Sequence, residues 1–347
     1  MLPDGSRAMK RRGFITLFGG AAATWPFAAG AQQPNGMRRI AMLTSANGED
    51  QVFKSGRAAR GHSRETPLPR TVTFQAALVL MLWCAVGALT ADAWATPLER
   101  VEFESASQRL GSSAFSAGDP IQGYLAKPDG AGPFPAVIVL HGCAGMHDTT
   151  KRKLVDELVA WGYVILLVDS YATRRIDNAC LSTAFATFFR RRPDAYGALV
   201  FLGSQTFVDP HRVAVVGFSA GAWVTLSVAE PNSFELFEPP SNLRFRAAAA
   251  FYPPCGLAGA RPGIPTLIFI GASDDWTPAA HCSNKVAGWG QDGPPVELVV
   301  YPGTYHGFYY PQLQPGRMIF DHRLEYNGAA TDDASHRLHE FLDYHLK

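Results

Sequence analysis

Six short apolar runs, each closed by Gly, Pro, Asp or Ser, recur through the last two thirds of the chain. They are PAVIVLHG (135–142), YVILLVDS (163–170), RVAVVGFS (212–219), RAAAAFYP (246–253), PTLIFIGA (265–272) and VELVVYPG (296–303). A strand that is apolar without alternation has to be buried on both faces, which is the condition of a parallel strand inside a sheet. Between the runs lie segments with helical period: KRKLVDELVAWG (151–162), the stretch around 182–203, a segment opened by Ser219, and the last one, 333–346. All of these are read as amphipathic helices. The alternation predicts an α/β fold, a mostly parallel, doubly wound sheet with helices on both faces. Two earlier runs, LERVEFES and IQGYLAKP, alternate in polarity instead and predict an antiparallel hairpin at one edge.

What precedes the fold reads differently. MKRRGFITLFGGAAATWPFAAGAQQ has a basic start, an apolar middle and an Ala-Gly-Ala cleavage site at 29–31, the makings of an export signal. Its Arg11-Arg12 pair resembles the twin-arginine type, and residues 1–40 resemble the leader of bacterial solute-binding proteins. A second apolar run, FQAALVLMLWCAVGALTADAWA, is shorter than the ~18 residues of a membrane span and ends in Ala93-Trp94-Ala95, another small-residue cleavage site. It is read as a second signal, with Cys84 leaving in it and no stable membrane span remaining. Residues 46–70 are polar, basic and without hydrophobic period, as expected of a disordered linker. Residues 1–95 are therefore expected to lie outside the fold, and 96–347 to form one domain in an exported, periplasmic or secreted protein. A net charge of +1 over 347 residues gives no electrostatic footprint for nucleic acid.

In a parallel sheet of this kind, ligands bind beyond the carboxyl ends of the strands. There the run RVAVV ends in Gly217-Phe218-Ser219-Ala220-Gly221 and passes into a helix. A serine between two glycines at a strand-to-helix turn is the pattern of a nucleophile elbow, where the turn is too tight for side chains at the flanking positions. The partners of such a serine follow it in the order acid, then histidine. GASDDWTP sets Asp274 third after the strand-ending Gly271, and TYHGF sets His306 beyond the next strand. Asp275 is read as helping to start the following helix. Several other histidines serve as controls and do not fit: His141 and His211 precede the serine, His281 falls in a helix, and His322, His336, His339 and His345 fall in the tail or the last helix. Oxyanion donors are expected from the backbone N–H groups of Ala220 and Cys143. His141 is read as bracing their loop.

Taken together, LHGCAG, GFSAG, GASDDWTP and YPGTYHGF resemble the dienelactone hydrolase family of α/β-hydrolases, over nearly all of 97–347. The resemblance implies one domain with an open cleft that cleaves small esters or lactones without a cofactor. The chain departs from the family at two points. Members that open dienelactone carry a cysteine nucleophile and a glutamate in the oxyanion loop, where this chain has Ser219 and Gly142. General carboxylesterase chemistry is therefore expected ahead of dienelactone itself. The alternatives are a peptidase on the same scaffold, which usually carries an added propeller or lid, and a non-catalytic binding protein, which would need two lobes.

Of the remaining residues, Cys143, Cys180, Cys255 and Cys282 allow three pairings, and 143–180 with 255–282 are expected because each pair joins loops after neighbouring strands. No C-x-x-C spacing occurs, so no metal site is expected. Tyr171, Trp276, Phe308 and Tyr309 follow the strand ends and are candidates for lining a substrate pocket. Arg174 and Arg175 are expected to be solvated or salt-bridged.

Overall fold

The computed structural model describes residues 96–110, 114–146, 148–180, 190–237 and 242–347. The expected leader, second signal and linker of residues 1–95 lie outside them. Each of the six apolar runs forms a strand: β5 (Phe134–Leu140), β6 (Val164–Asp169), β7 (Val208–Phe218), β8 (Ala247–Phe251), β9 (Thr266–Gly271) and β10 (Val296–Tyr301). They pair in parallel in the order β6-β5-β7-β8-β9-β10. The edge expected to be antiparallel is so: β1 (Glu99–Glu104) pairs with β4 (Pro120–Ala126), and β4 pairs antiparallel with β6. The link from β1 to β4 is not a tight turn, because it carries a further small hairpin of β2 (Gln108–Leu110) and β3 (Ala114–Ser116).

Alternate residues of the central strands feed two cores. On one face Val139, Leu167, Val216, Phe251 and Phe269 pack with helices α1 (Asp148–Ala160) and α5 (Gly328–Leu346), which contribute Leu154, Leu158, Leu338 and Leu342. On the other, Ile138, Leu166 and Val215 pack with α2 (Arg192–Gly203) and α3 (Ala220–Ala229), while Ile268 and Ile270 meet Cys282 of α4 (Ala279–Gly288). Among the described residues no helix is long and apolar enough to cross a membrane.

Three strand and helix expectations need correction. β10 is not buried on both faces: Glu297 and Val300 are exposed, because it is the last strand of the sheet and has a neighbour on one side only. Helix α3 is not amphipathic, since all ten of its residues are buried. A helix covered on every side has no polar stripe to display. The last helix starts at Gly328 rather than 333, because the Asn327 side chain accepts the Ala330 N–H at 3.2 Å and caps it.

The loop after β6 is held by a buried ionic cluster. Arg174 donates two hydrogen bonds to Asp194, of 2.7 and 2.8 Å, and two to Asp119 Oδ2, of 3.0 and 2.8 Å. The Arg174 hydrogen bond holds the Asp119 carboxyl below the usual carboxylate range. Asp194 is fully buried and Arg174 nearly so, so the expected salt-bridged role of Arg174 is the one it has. Removing one member of a buried pair strands the other charge in a low dielectric. Arg174→Ala is expected to lower unfolding free energy by about 3 kcal/mol or more in urea titration. Arg100→Ala, which breaks an exposed pair with Glu102, should cost about 0.5 kcal/mol at most.

Candidate active site

β7 ends at Phe218 and α3 begins at Ala220, so a single residue makes the turn. That residue, Ser219, has φ 52° and ψ −115°, a conformation that costs a non-glycine residue about 1–3 kcal/mol. The surroundings enforce it. The Ser219 N–H donates to the Phe251 carbonyl at 2.9 Å, and its own carbonyl accepts the Trp223 N–H at 3.1 Å. A Cβ on Gly217 would overlap the Gly221 carbonyl and Thr225 Oγ1, and one on Gly221 would overlap the carbonyls of Leu140 and His141. Both glycines of the pentapeptide are therefore needed for α3 to seat against the ends of β5 and β7.

The acid and the histidine come from the last two strand ends of the sheet, beyond β8. The loops after β9 and β10 touch closely at Gly271, where a Cβ would overlap the Thr304 carbonyl. The Ser273 N–H donates to that same carbonyl at 3.0 Å. Asp274, 3% exposed, then faces His306, also 3% exposed, with Oδ2 2.8 Å from Nδ1. A carboxylate can only accept here, so Nδ1 carries the proton and Nε2 is left with its lone pair. Nε2 lies 3.0 Å from Ser219 Oγ. Such a chain can pass the hydroxyl proton to the ring as the oxygen attacks, with the carboxylate steadying the imidazolium.

Thr277 is a site residue that the sequence reading missed. Its hydroxyl donates to Asp274 Oδ2 at 2.9 Å, while Asp274 Oδ1 accepts the N–H groups of Trp276 and Thr277 at 3.0 and 2.7 Å. An Asp followed at two and three residues by N–H donors is an Asx turn, and the D-D-W-T string was the available signal. Asp275 does not start the helix as expected. Its carboxylate accepts the Arg323 N–H at 3.2 Å and lies 3.6 Å from His322 Nδ1, while α4 has no side-chain cap. Asp275 therefore ties a short hairpin, β11 (Arg317–Ile319) and β12 (His322–Leu324), to the Asp274 loop. His322, expected in a tail or helix, sits in this hairpin with its ring stacked 5.0 Å from Trp276.

Cys143 is bonded to Cys180 and Cys255 to Cys282. The first bond ties the loop after β5 to the loop after β6, where Ala179 N–H also donates to the Cys143 carbonyl at 2.9 Å. His141 accepts the Ser170 N–H on Nε2 at 3.3 Å, and its carbonyl accepts from the buried Arg191 at 2.6 Å, so it does brace this loop. Gly142 faces the serine: a Cβ there would lie 3.7 Å from Ser219 Cβ. Ala220 is the first residue of α3, and its N–H is among those that a helix leaves without an internal partner.

Ser219 and His306 open on a cavity of about 550 Å³. Trp276 lines it, whereas Tyr171, Phe308 and Tyr309 do not. They are 2%, 0% and 2% exposed. Tyr171 packs edge-on against His141, Phe308 sits in the core under Tyr252, and the Tyr309 hydroxyl donates to Glu157 at 2.7 Å. Tyr310 and Tyr252 line the cavity in their place. Burial pushes the Tyr310 phenol up to about 12 and holds that of Tyr252 well above the usual phenol range, so both are neutral at ordinary pH.

A model of the dienelactone hydrolase family matches residues 121–346. An uncharacterized Mycobacterium tuberculosis protein is 29% identical over 204 residues, which are 55% of this chain and 68% of that one. The "Probable 2-oxo-3-(5-oxofuran-2-ylidene)propanoate lactonase" of Bradyrhizobium sp. is 26% identical over 194 residues, 54% of this chain and 78% of that one. The crystal structure of a dienelactone hydrolase-like promiscuous phosphotriesterase from metagenomic libraries superposes with a TM-score of 0.50 at 18% identity, over 72% of this chain and 99% of that one. This last likeness is one of fold, the α/β-hydrolase fold. The chain belongs to the dienelactone hydrolase family, and with it to the hydrolases of esters and lactones.

Proposed function

We propose that the protein is a serine hydrolase that cleaves small carboxylic esters or lactones through an acyl-enzyme, with Ser219, His306 and Asp274 as its triad. What carries this reading is the unbroken hydrogen-bonded chain from Ser219 Oγ through both nitrogens of His306 to Asp274, at 3.0 and 2.8 Å. As Ser219 Oγ bonds to the substrate carbonyl carbon, its proton passes to His306 Nε2. The carbonyl oxygen becomes an oxyanion held by the N–H groups of Ala220 and Cys143, the first at a helix N-terminus whose dipole favours negative charge. Collapse of the intermediate breaks the bond to the alkoxide, which takes the proton from His306. Water, deprotonated by the same imidazole, then releases the acid and restores the serine.

Positioning supports the same reading. The Cys143–Cys180 bond and the contacts of His141 hold the loop that would supply the second oxyanion donor. Thr277 and two backbone N–H groups hold the Asp274 carboxyl aimed at the ring. The two disulfides suit an oxidising compartment. Together with the signal-like sequence before residue 96, they support a protein that is exported and folds from about that residue onward.

Two sets of variants test the assignment. With a p-nitrophenyl ester, Ser219→Ala should lower kcat by about 10⁴-fold or more, and adding His306→Ala should lower it little further, because the two act as a unit. Undiminished turnover by Ser219→Ala would refute the nucleophile. Asp274→Asn should cost about 10³- to 10⁴-fold by favouring the wrong tautomer, whereas Thr277→Val, which removes one hydrogen bond to a charged group, should cost about tenfold. The order of these losses, read in kcat with circular dichroism confirming the fold, is the check.

A further inference from the structure

We infer that the acyl group this site accepts is uncharged and apolar, of medium chain length, and that it lies in the cavity between α1 and the sheet. The inference rests on the proposed serine mechanism and names the substrate class for it. The cavity, about 550 Å³, is of a size that takes a small organic ligand. One wall is made by Val139, Leu167 and Phe218, from the ends of β5, β6 and β7, with Leu154 of α1 facing them. Another is made by Trp276 with Ile319 and Phe320 of the β11–β12 hairpin. No Asp, Glu, Lys or Arg is among the described residues that line it.

Charge is what this lining refuses. A carboxylate carried on the acyl chain would leave water for walls whose described residues offer it no cation, and such a transfer is strongly unfavourable. Arginines that flank this loop are engaged elsewhere: Arg152 with the Thr96 carbonyl, Arg174 with Asp119 and Asp194, and Arg191, through one of its donors, with the His141 carbonyl. The tyrosines of the wall, Tyr252 and Tyr310, stay neutral and bring no net charge. Methylene groups, by contrast, gain with each one buried, up to about fourfold apiece.

The hairpin side is built rather than accidental. Asp275 holds it through the Arg323 N–H, and Phe320 meets the Trp276 ring edge-on with centroids 6.1 Å apart. Phe320 is still 45% exposed, which leaves an apolar surface beside the cavity for an acyl chain to meet on entry.

The test compares three substrates of the full chain: p-nitrophenyl acetate, p-nitrophenyl hexanoate, and the mono-p-nitrophenyl ester of adipic acid, which has the hexanoyl length with a carboxylate at its end. The expected kcat/KM for hexanoate exceeds that for acetate by tenfold or more, and that for the adipate ester by about 100-fold. Leu154→Phe, which adds bulk to the wall, should lower the hexanoate-to-acetate ratio at least fivefold. Hexanoate no better than acetate, an adipate ester within threefold of hexanoate, or a ratio unmoved in folded Leu154→Phe would each overturn the inference. Ser219→Ala run beside them separates the two claims. Turnover that survives it overturns the mechanism beneath, whereas Ser219-dependent turnover with the wrong preference overturns the acyl seat alone.

Discussion

The close seating of α3 on the ends of β5 and β7 is the constraint on which the site depends. It requires hydrogen in place of a side chain at Gly217 and Gly221, because the carbonyls of Leu140, His141 and Gly221 occupy the space. With the helix so near, one residue has to turn the chain, and it does so at positive φ with its N–H fixed on Phe251 and its carbonyl on Trp223. The strain is local, and the buried helix and the sheet hold it. The result is a hydroxyl lifted clear of the sheet at the start of a helix dipole, beside Gly142 and the loop that follows β5.

The other two members of the chain are brought in by a similar contact further along the sheet, beyond β8. Gly271 lets the loops after β9 and β10 touch, and the touch sets Asp274 beside His306. Thr277 and Asp275 divide the work of their turn: one hydroxyl aims the buried carboxylate, and the neighbouring carboxylate anchors the hairpin that walls the cavity. The buried Arg174 cluster and the Cys143–Cys180 bond steady the loops after β5 and β6. Strand ends thus carry Ser219, Asp274 and His306, while the chain between them supplies the walls.

Much of this is legible in the residues. Continuous apolar runs mark β5 to β9 because a strand covered on both faces has no polar position to show, and the glycines around Ser219 mark the turn because nothing larger fits. β10 shares the apolar run but not the burial, since its place at the sheet edge depends on strand order, which local sequence does not encode. The all-round burial of α3 is hidden for the same reason. Phe308-Tyr309-Tyr310 shows the limit most sharply: three successive aromatics point in different directions, and only Tyr310 reaches the cavity. Thr277 was passed over because a threonine before a proline reads as a helix start.

The account stands on one hydroxyl becoming a covalent acyl carrier, and a fluorophosphonate probe reads that event directly. Treated with one equivalent, the protein should gain a single adduct, and peptide mass spectrometry should place it on Ser219 in step with loss of ester turnover. Inactivation with Ser219 unmodified, or an adduct on another residue that tracks the loss, would contradict the account.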